Sequence, residues 1–302
     1  IDNGFYYDID TLAPPQRIIA MSSSHTAMLD AVGCAERIVG VSGCRFIFNP
    51  TLCQAIDKGK IEEVGYDSSF DFEKIRSLKT DVVLLYGVAG EAKAVTNKLD
   101  ELHIPYIYIG DYLEADPLGK AEWVVALAHL CGVADEGKAF FAEVERRYNA
   151  LREQRYCSAY RPRVMLNLPY RDTWFMPPRN SYMVRLIEDA GGEYIYPQND
   201  SNTSKPIALE EALLLAMKAD FWLNLGQMVS MEEVCAAAPR FAKVDAVRFG
   251  RLYNNTKRTN ESRGSDFWES GAVRPDIILE DLIKILHYEA PTDSLYYYTK
   301  IE

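Results

Sequence analysis

The stretch that decides the fold is "DFEKIRSLKTDVVLLYG", which runs from Asp71 to Gly87. A glutamate opens a short amphipathic segment, an aspartate follows it, an apolar run comes next, and a glycine closes the stretch. This order predicts a short helix and then a strand that is buried on both faces. "LEEALLLAMKADFWLNLG" at 209–226 repeats the order in the second half of the chain. The repeat indicates two lobes that are built alike.

Strands and helices alternate around both copies of this stretch. The further predicted strands are "RIIAM" (17–21), "RIVGVSG" (37–43) and "IPYIYIG" (104–110) in the first half, and "RVMLNL" (163–168), "YIYP" (194–197) and "GRLYNN" (250–255) in the second. In each half a helix that ends at a glycine, Gly33 or Gly191, follows the first strand. Such alternation predicts mostly parallel sheets that are covered by helices.

A long helix is predicted to join the two lobes. In "ADEGKAFFAEVERRYNALREQR" (134–155) the apolar residues fall close to helical spacing. A flexible linker would be rich in Gly, Ser or Pro, so this segment is interpreted as a rigid strut. We therefore predict an α/β fold of two Rossmann-like lobes with a ligand cleft between them. Its parts are an N-terminal lobe over 1–131, a connecting helix over 132–157 and a C-terminal lobe over 158–302.

Composition excludes several classes of protein. The 302 residues are 48% hydrophobic and 25% charged, with a net charge of −11, which is typical of a soluble globular protein. Nucleic-acid binding needs clustered Lys and Arg, so no nucleic-acid partner is expected. No apolar run approaches the length of a membrane helix. The chain opens at Ile1 rather than Met, so we expect that its start has been removed.

Cysteines and histidines form no local motif. None of the six cysteines lies in a CxxC pair, and the four histidines are far apart in sequence, so no metal site is predicted. Cys44 and Cys53 are close enough in sequence to be bridged, but each is equally well interpreted as a small buried side chain. The adjacent Ser24 and His25 are a poor nucleophile and base for each other. Since no catalytic motif is present, an enzyme is not predicted.

Loops that follow the predicted strands are rich in aromatic and polar side chains. In open α/β sheets, loops beyond the carboxyl ends of the strands form the ligand crevice. These loops carry Tyr86, Tyr112, Tyr170, Trp174, Phe175 and Met176, together with Arg45, Arg171, Gln227, Asn254 and Asn255. Aromatic faces with a few polar groups suit a large small molecule that is partly apolar and partly charged. Packing within the lobe is the alternative interpretation of each aromatic residue.

Four stretches resemble one family over roughly residues 15–290. They are "RIIAMSSSHTAMLDAVGCAERIVGVSG", "VGYDSSFDFEKIRSLKTDVVLLYG", "NSYMVRLIEDAGGEYI" and "GSDFWESGAVRPDIILEDLIKILH". They resemble the substrate-binding proteins of ABC importers, in the branch that serves siderophore, haem and cobalamin uptake. Thr80 stands where many members have proline. The resemblance implies a binding protein of two α/β lobes on one rigid helix, with no cofactor of its own.

The resemblance also implies two glutamates that dock onto arginines of the membrane permease. By position in the motif these are Glu73 in "FEKI" and Glu210 in "LEEA". Glu73 stands eight residues before Asp81, whereas Glu210 stands ten before Asp220. Glu211, at nine, is therefore a rival for the second docking position. Glu73 and the adjacent Glu210 and Glu211 also lie at the start of predicted helices, where the helix dipole favours negative charge.

Ligand contacts implied by the resemblance come from both lobes. They are His25, Arg45, Tyr66, Tyr86, Trp174, Met176, Gln227 and Trp268. Arg45 and Arg171 could pair with an anionic ligand such as a ferric siderophore or a haem propionate, and Tyr86 or His25 could ligate haem iron. A ferric siderophore is preferred because it is the commonest ligand in this branch. A cobamide is the nearest rival, haem is third, and a chelatase-like enzyme would need a cysteine set that is not apparent.

Partners and location follow from the same resemblance. We expect a monomer that carries a small-molecule metal chelate to an ABC permease dimer of the inner membrane. Such proteins work in the periplasm, either free or held by a lipid on an N-terminal cysteine, which is absent from this chain. The tyrosine-rich tail "SLYYYTK" lies beyond the last predicted helix and has no predicted role.

Overall fold

The structure is a computed structural model that describes residues 13–66, 69–87, 93–154 and 160–302. The chain divides into two compact units. The first comprises Ile1–Glu114, Leu118–Val144 and Thr259–Val273, and the second comprises Ala115–Pro117, Glu145–Arg258 and Arg274–Glu302. Each unit has a mostly parallel sheet with helices around it, so the predicted α/β class is confirmed.

The first unit is built on a parallel sheet. Its described strands are β1 (Ile18–Ala20), β2 (Ile38–Val41), β3 (Glu62–Glu63), β4 (Gly65–Tyr66), β5 (Ser69–Phe70), β6 (Val82–Leu85) and β7 (Tyr106–Tyr108). The parallel sheet has the order β3-β2-β1-β6-β7, and β4 and β5 form a separate antiparallel pair. The helices that begin in the first half of the chain are α1 (Ser23–Ala31), α2 (Pro50–Asp57), α3 (Phe72–Ser77), α4 (Lys93–Glu101), α5 (Pro117–Leu130) and α6 (Ala134–Gln154).

The second unit repeats this plan. Its described strands are β8 (Arg163–Leu166), β9 (Thr173–Met176), β10 (Glu193–Tyr194), β11 (Lys205–Ala208), β12 (Phe221–Leu223), β13 (Leu252–Asn254) and β14 (Thr299–Lys300). The main sheet has the order β10-β8-β12-β13-β14 and is parallel except for β14, while β9 and β11 form an antiparallel pair. The helices are α7 (Tyr182–Asp189), α8 (Leu209–Ala216), α9 (Met231–Ala237), α10 (Asp245–Arg248) and α11 (Pro275–Tyr288).

The repeated stretch has the same role in both units. Asp81 stands before β6, and its Oδ2 accepts hydrogen bonds from the backbone N–H groups of Gln16 and Arg17 at 2.8 and 2.9 Å. Asp220 stands before β12, and its Oδ2 accepts from Arg163 N at 2.8 Å. In each unit, therefore, an aspartate side chain joins the start of the third predicted strand to the start of the first. The interpretation of the repeat as two similar lobes is confirmed.

The unequal spacing within the repeat arises in the helices. α3 has 6 residues and α8 has 8, and this difference of two residues equals the difference in spacing to the following aspartate. Glu73 and Glu210 each occupy the second position of their helix. Counted from the helix start, Glu210 thus corresponds to Glu73 better than Glu211 does.

Division of the chain differs from the predicted boundaries in three places, of which the shortest is Ala115–Pro117, a part of the second unit. α6 passes from the first unit into the second between Val144 and Glu145, and the predicted end of the connecting helix, at 157, lies outside the described residues. The segment Thr259–Val273, here called the return segment, belongs to the first unit although it comes late in the sequence. Val273 is buried in the core of that unit, so apolar packing accounts for the return.

The predicted loop at 169–178 contains a strand. β9 pairs with β11 in register, with Trp174 opposite Ile207 and Phe175 opposite Pro206. Alternate side chains of a strand point to opposite faces, so Trp174 and Met176 are buried while Phe175 is exposed.

The tail of the chain completes the second unit. β14 pairs with β13, and the side chains of Tyr297 and Tyr298 are fully buried. Asp281 in α11 is also buried, and its carboxylate accepts backbone N–H groups of Tyr296, Tyr297 and Tyr298, the closest contact to each being 2.7 to 3.2 Å. One side chain of α11 thus fixes three consecutive residues of the tail.

The structure also shows the state of the cysteines and the character of the helices. Cys34, Cys44, Cys53, Cys131 and Cys235 are free thiols in the structure, and Cys157 lies outside the described residues. No helix within the described ranges is both long and apolar enough to cross a membrane.

Candidate functional site

A buried polar cluster lies where β1 and β7 of the first unit end. His25, in the first turn of α1, and Asp111, just after β7, are both fully buried. His25 Nε2 stands 3.8 Å from Asp111 Oδ1, which is longer than a hydrogen bond, and neither atom has a hydrogen-bond partner among the described residues. Lys120 Nζ lies 2.8 Å from Asp111 Oδ2. The cluster is thus a buried ion pair beside an imidazole with unused hydrogen-bonding capacity.

The charge of Asp111 is stabilised by its neighbours. Burial alone would raise the pKa of this carboxyl, but His25 and Lys120 outweigh burial and lower the pKa to about 2. Of the two, only Lys120 lies at hydrogen-bond distance. Asp111 is therefore ionised at neutral pH, and the side chain of Lys120 balances its charge. Neither residue was predicted from the sequence, although Asp111 follows a strand end, where functional residues gather.

Tyr86 covers this cluster. Its ring meets the His25 ring edge-on at 5.8 Å between centroids and the Tyr112 ring at 5.0 Å. Burial, with the nearby charge of Asp111, raises the pKa of the Tyr86 phenol to about 12. The phenol therefore stays protonated at neutral pH. The predicted contacts His25 and Tyr86 are brought together, but His25 has no exposed surface.

A second group of predicted residues lies after β2. The exposed guanidinium of Arg45 stands 4.6 Å from the centroid of the Phe46 ring and 5.9 Å from that of Tyr66. Tyr66 is 51% exposed, and its ring lies 5.2 Å from that of Phe46. Gly43 adopts a φ of 69°, and a Cβ there would meet the Phe46 ring at 2.6 Å, so glycine permits this packing. Within the described residues, Arg45 has no carboxylate partner.

Trp268 belongs to the return segment and so to the first unit. Its side chain is 57% exposed, and its ring meets the buried Phe267 ring edge-on at 4.9 Å. Phe267 thus anchors the segment, while the indole of Trp268 remains accessible. The predicted C-terminal lobe, 158–302, includes Trp268, whereas the structure assigns it to the first unit.

In the second unit, Trp174 and Met176 are core residues. Both have no exposed surface. Trp174 Nε1 donates to the carbonyl of Leu166 at 2.9 Å, and its ring packs against those of Trp222 and Phe241 at 5.4 and 5.0 Å. This environment favours a packing role over the ligand contact that the sequence predicted for them.

Exposed groups of the second unit lie in two turns. Tyr170 and Thr173 exchange backbone hydrogen bonds around Arg171, whose guanidinium stands 5.2 Å from the Tyr170 ring centroid. Arg171, like Arg45, has no carboxylate partner among the residues described. Gln227 is exposed in the turn after β12. The buried Asn254 holds this turn, since its Nδ2 donates to the carbonyls of Gly226 and Met228 at 2.8 and 3.0 Å.

The acidic residues predicted to dock are exposed, but their surroundings differ. Glu73 and Glu211 have no ion pair with any described residue. Glu210, whose side chain is 77% exposed, lies 2.9 Å from Arg240 Nη1. Hydrogen bonds from its own backbone N–H and from Arg240 lower the pKa of Glu210.

Residues that could bind a bare metal ion were sought in the described part of the chain. Within the described part of the chain, no group of three or more His, Cys, Asp or Glu side chains is arranged to hold a metal ion.

Comparison with known proteins gives one family. The family model of periplasmic binding proteins matches residues 18–259. A lipoprotein of uncharacterized function from Methanocaldococcus jannaschii is 27% identical over 288 residues. That match covers 92% of this chain, but the chain spans only 66% of the lipoprotein's length.

Solved structures share the fold. A periplasmic haem-binding protein from Pseudomonas aeruginosa has a TM-score of 0.72 at 18% identity, with 95% of this chain and 98% of that chain covered. For a periplasmic vitamin B12 binding protein of Vibrio cholerae the TM-score is 0.65 at 18% identity, with coverage of 90% and 97%. A possible iron-binding protein from Staphylococcus epidermidis has a TM-score of 0.71 at 17% identity, with coverage of 91% and 100%.

Proposed function

The chain is a member of the periplasmic binding protein family, and on that premise we propose that it captures a bulky, anionic iron chelate for an ABC importer. The ligand class is a ferric siderophore. The protein binds this chelate outside the cytoplasmic membrane and delivers it to the permease, and no reaction takes place on it. The relative from Methanocaldococcus jannaschii is named a lipoprotein, which supports this location.

The observation that carries the choice of ligand is an exposed arginine beside an aromatic ring in each unit. Arg45 lies by Phe46, and Arg171 lies by Tyr170. Neither guanidinium is paired with a carboxylate within the described ranges, so each is available to an anionic group. The adjacent rings offer apolar faces for the organic part of the chelate. An uncharged cobamide could pack against the aromatic rings but would form no ion pair with the two guanidinium groups.

Haem is a weaker candidate. Several proteins of like fold are named for haem, and a haem propionate would also suit Arg45 or Arg171. An axial ligand is needed as well. Of the two residues predicted for that role, His25 is fully buried, and burial raises the pKa of Tyr86 to about 12, which disfavours the phenolate. This environment supports a chelate that brings its own iron ligands.

We expect ferric siderophores to quench the fluorescence of the protein at sub-micromolar concentration. The reason is that Trp268 is exposed and belongs to the same unit as Arg45, whereas Trp174 and Trp222 are buried. The measurement is a titration with a ferric catecholate, a ferric hydroxamate, cyanocobalamin and haemin. Trp268→Phe should remove most of the quenching. Absence of quenching by every compound would refute the uptake function.

Arg45→Gln tests whether the negative charge of the ligand contributes to binding. Glutamine keeps part of the length of the side chain and some of its hydrogen-bonding capacity, but it removes the positive charge. We expect about a tenfold loss of affinity for an anionic chelate, the usual scale for one charge-assisted contact. Affinity for cyanocobalamin should not change. Equal losses for both compounds would argue against an anionic ligand.

Glu73 and Glu210 are proposed to dock the protein onto the permease. Both are exposed and occupy the same position in corresponding helices, and exposed carboxylates guide association more than they add affinity. The double variant Glu73→Ala with Glu210→Ala should lower transport into membrane vesicles that contain the permease by about tenfold. Its affinity for the chelate should stay within about twofold of the original.

Glu211→Ala is the control for this docking experiment, since Glu211 is a neighbouring exposed glutamate without an ion pair among the described residues. It should leave transport unchanged. If Glu211→Ala lowers transport and Glu210→Ala does not, Glu211 is the docking residue. A loss of chelate affinity in the double variant would instead assign these carboxylates to binding or folding.

A further inference from the structure

The return segment contacts the residues that precede α2. Asn260 Nδ2 donates to the carbonyl O of Ile47 at 2.8 Å, and Asn260 Oδ1 accepts from Gly264 N at 2.7 Å. A Cβ at Gly264 would lie 2.6 Å from the same Ile47 oxygen, so the close approach of the two backbones requires glycine. The return segment thus lies directly against the loop that follows β2.

Glu269 is the charged group at this contact. Only 2% of the residue is exposed. Its Oε2 accepts the backbone N–H of Phe48 at 2.5 Å and that of Asn49 at 3.3 Å. A backbone N–H group that is shielded from water and loses its acceptor lowers the stability of the folded protein. The carboxylate therefore fixes the return segment relative to residues 44–49.

Predicted ligand contacts lie on both sides of these hydrogen bonds. Trp268 directly precedes Glu269, and its indole is exposed. Arg45 and Phe46 lie within three residues of Phe48 along the chain, and Arg45 is exposed as well. We propose that Glu269 is a positioning residue of the ligand site: by holding the return segment against residues 44–49, it sets where Trp268 stands relative to Arg45.

This inference rests on the proposed function, because it takes Trp268 and Arg45 as ligand contacts. The role of Glu269 in holding the return segment against residues 44–49 does not itself depend on a ligand. This role and the proposed function can therefore be tested by separate measurements on the same variants.

Other acidic groups surround Glu269. Asp266 belongs to the same segment, and Asp30, at the end of α1, accepts from Asn49 Nδ2 at 2.8 Å. The Cys53 thiol of α2 donates to the carbonyl O of Ile47 at 3.3 Å; burial, and then the charge of Glu269, raise its pKa. Burial, and then the charges of Asp266 and Asp30, raise the pKa of Glu269 to about 7, although the two N–H groups oppose this.

The direction of the pH effect follows from this raised pKa. The ordinary value for a glutamate is 4.5, so the held state binds a proton more strongly than a released state would. Holding is therefore favoured at low pH and weakens as pH rises through about 7, above which it levels off. For one such group the change between about pH 6 and about pH 8 is about tenfold.

The first measurement is amide hydrogen exchange of Phe48 and Asn49 in the ligand-free protein. We expect protection, corrected for intrinsic exchange, to fall about tenfold from about pH 6 to about pH 8. Glu269→Gln keeps an acceptor without a charge, so its protection should not vary with pH. Glu269→Ala removes the acceptor and should lose protection at every pH. Glu261→Gln, an exposed change in the same segment, should follow the original protein.

The second measurement is affinity for the ferric siderophore that binds best. Glu269→Ala should weaken it about tenfold, and Glu269→Gln, which keeps the geometry, should restore it to within about threefold. If Glu269→Gln has the same protection profile as the original protein, or Glu269→Ala keeps full protection, the positioning role is wrong. If protection behaves as expected while no chelate, cobamide or haemin binds, the holding role stands and the proposed function fails.

Discussion

Asp281→Ala is expected to lower the free energy of unfolding of the second unit by about 3–5 kcal/mol. The carboxylate accepts N–H groups from three consecutive residues, Tyr296 to Tyr298, and two of these residues are fully buried. Alanine offers no acceptor, and the site is too enclosed for water to replace it easily. Each buried donor left without a partner costs about 1–3 kcal/mol, so the effect is large for a single substitution.

Denaturant unfolding followed by circular dichroism measures this effect. Asp293→Ala is the control, because Asp293 is an exposed aspartate that lies between α11 and the tail. It should change stability by less than about 0.5 kcal/mol. If Asp281→Ala is no less stable than this control, the tail does not depend on the carboxylate.

Trp174→Ala is the second change with a large expected effect, about 3–5 kcal/mol of destabilisation. The indole is fully buried between Trp222 and Phe241, and its Nε1 donates to Leu166. Truncation leaves a cavity and an unpaired carbonyl in the middle of the second unit. Thermal unfolding measures the loss.

Trp174→Phe separates packing from ligand contact. It keeps an aromatic ring and loses one hydrogen bond, so it should cost only about 1–2 kcal/mol and remain folded. If Trp174 is a core residue, the folded variant should bind the ferric siderophore with unchanged affinity. A loss of affinity of about tenfold or more in the folded Trp174→Phe protein would show that the predicted ligand contact is correct.

The sequence predicted the fold well because the fold depends on pattern. The repeated stretch, the buried runs and the glycines that end helices are local signals, and each was found where it was expected. The second copy differed in spacing only because α8 is longer than α3. Helix length is a property of tertiary packing as well as of sequence, so the cause of the difference could not be assigned beforehand.

Site residues were harder to predict because their roles depend on burial. The sequence pattern predicts a loop for Trp174 and Met176, but β9 turns both toward the core. Had the strand been recognised, the two-residue spacing would have predicted one shared face for them. The roles of Asp111 and Glu269 depend on His25 and Phe48, which are far from them in sequence, and no local pattern specifies such contacts.

The role of Asp281 was not predicted from the sequence, although the pattern around it carries a signal. Asp281 lies in a helix among Ile278, Leu282 and Ile285, which are all fully buried. An aspartate on the apolar face of a helix indicates that a hydrogen-bond donor must meet it. That signal was available in "IILEDLIKIL", but the sequence alone could not identify the tail as the donor.

Because Thr259–Val273 belongs to the first unit, that unit is not a continuous piece of the chain. During synthesis the ribosome must make most of the second unit, Glu145–Arg258, before the last part of the first exists. At about 5–20 residues per second this interval lasts roughly 6–26 s. Over that time the backbone N–H groups of Phe48 and Asn49 lack the carboxylate of Glu269, and the core lacks Val273. The first unit is therefore incomplete and accessible to proteases and chaperones. If the chain were expressed as two separate proteins divided after Val144, the first would lack Thr259–Val273 permanently.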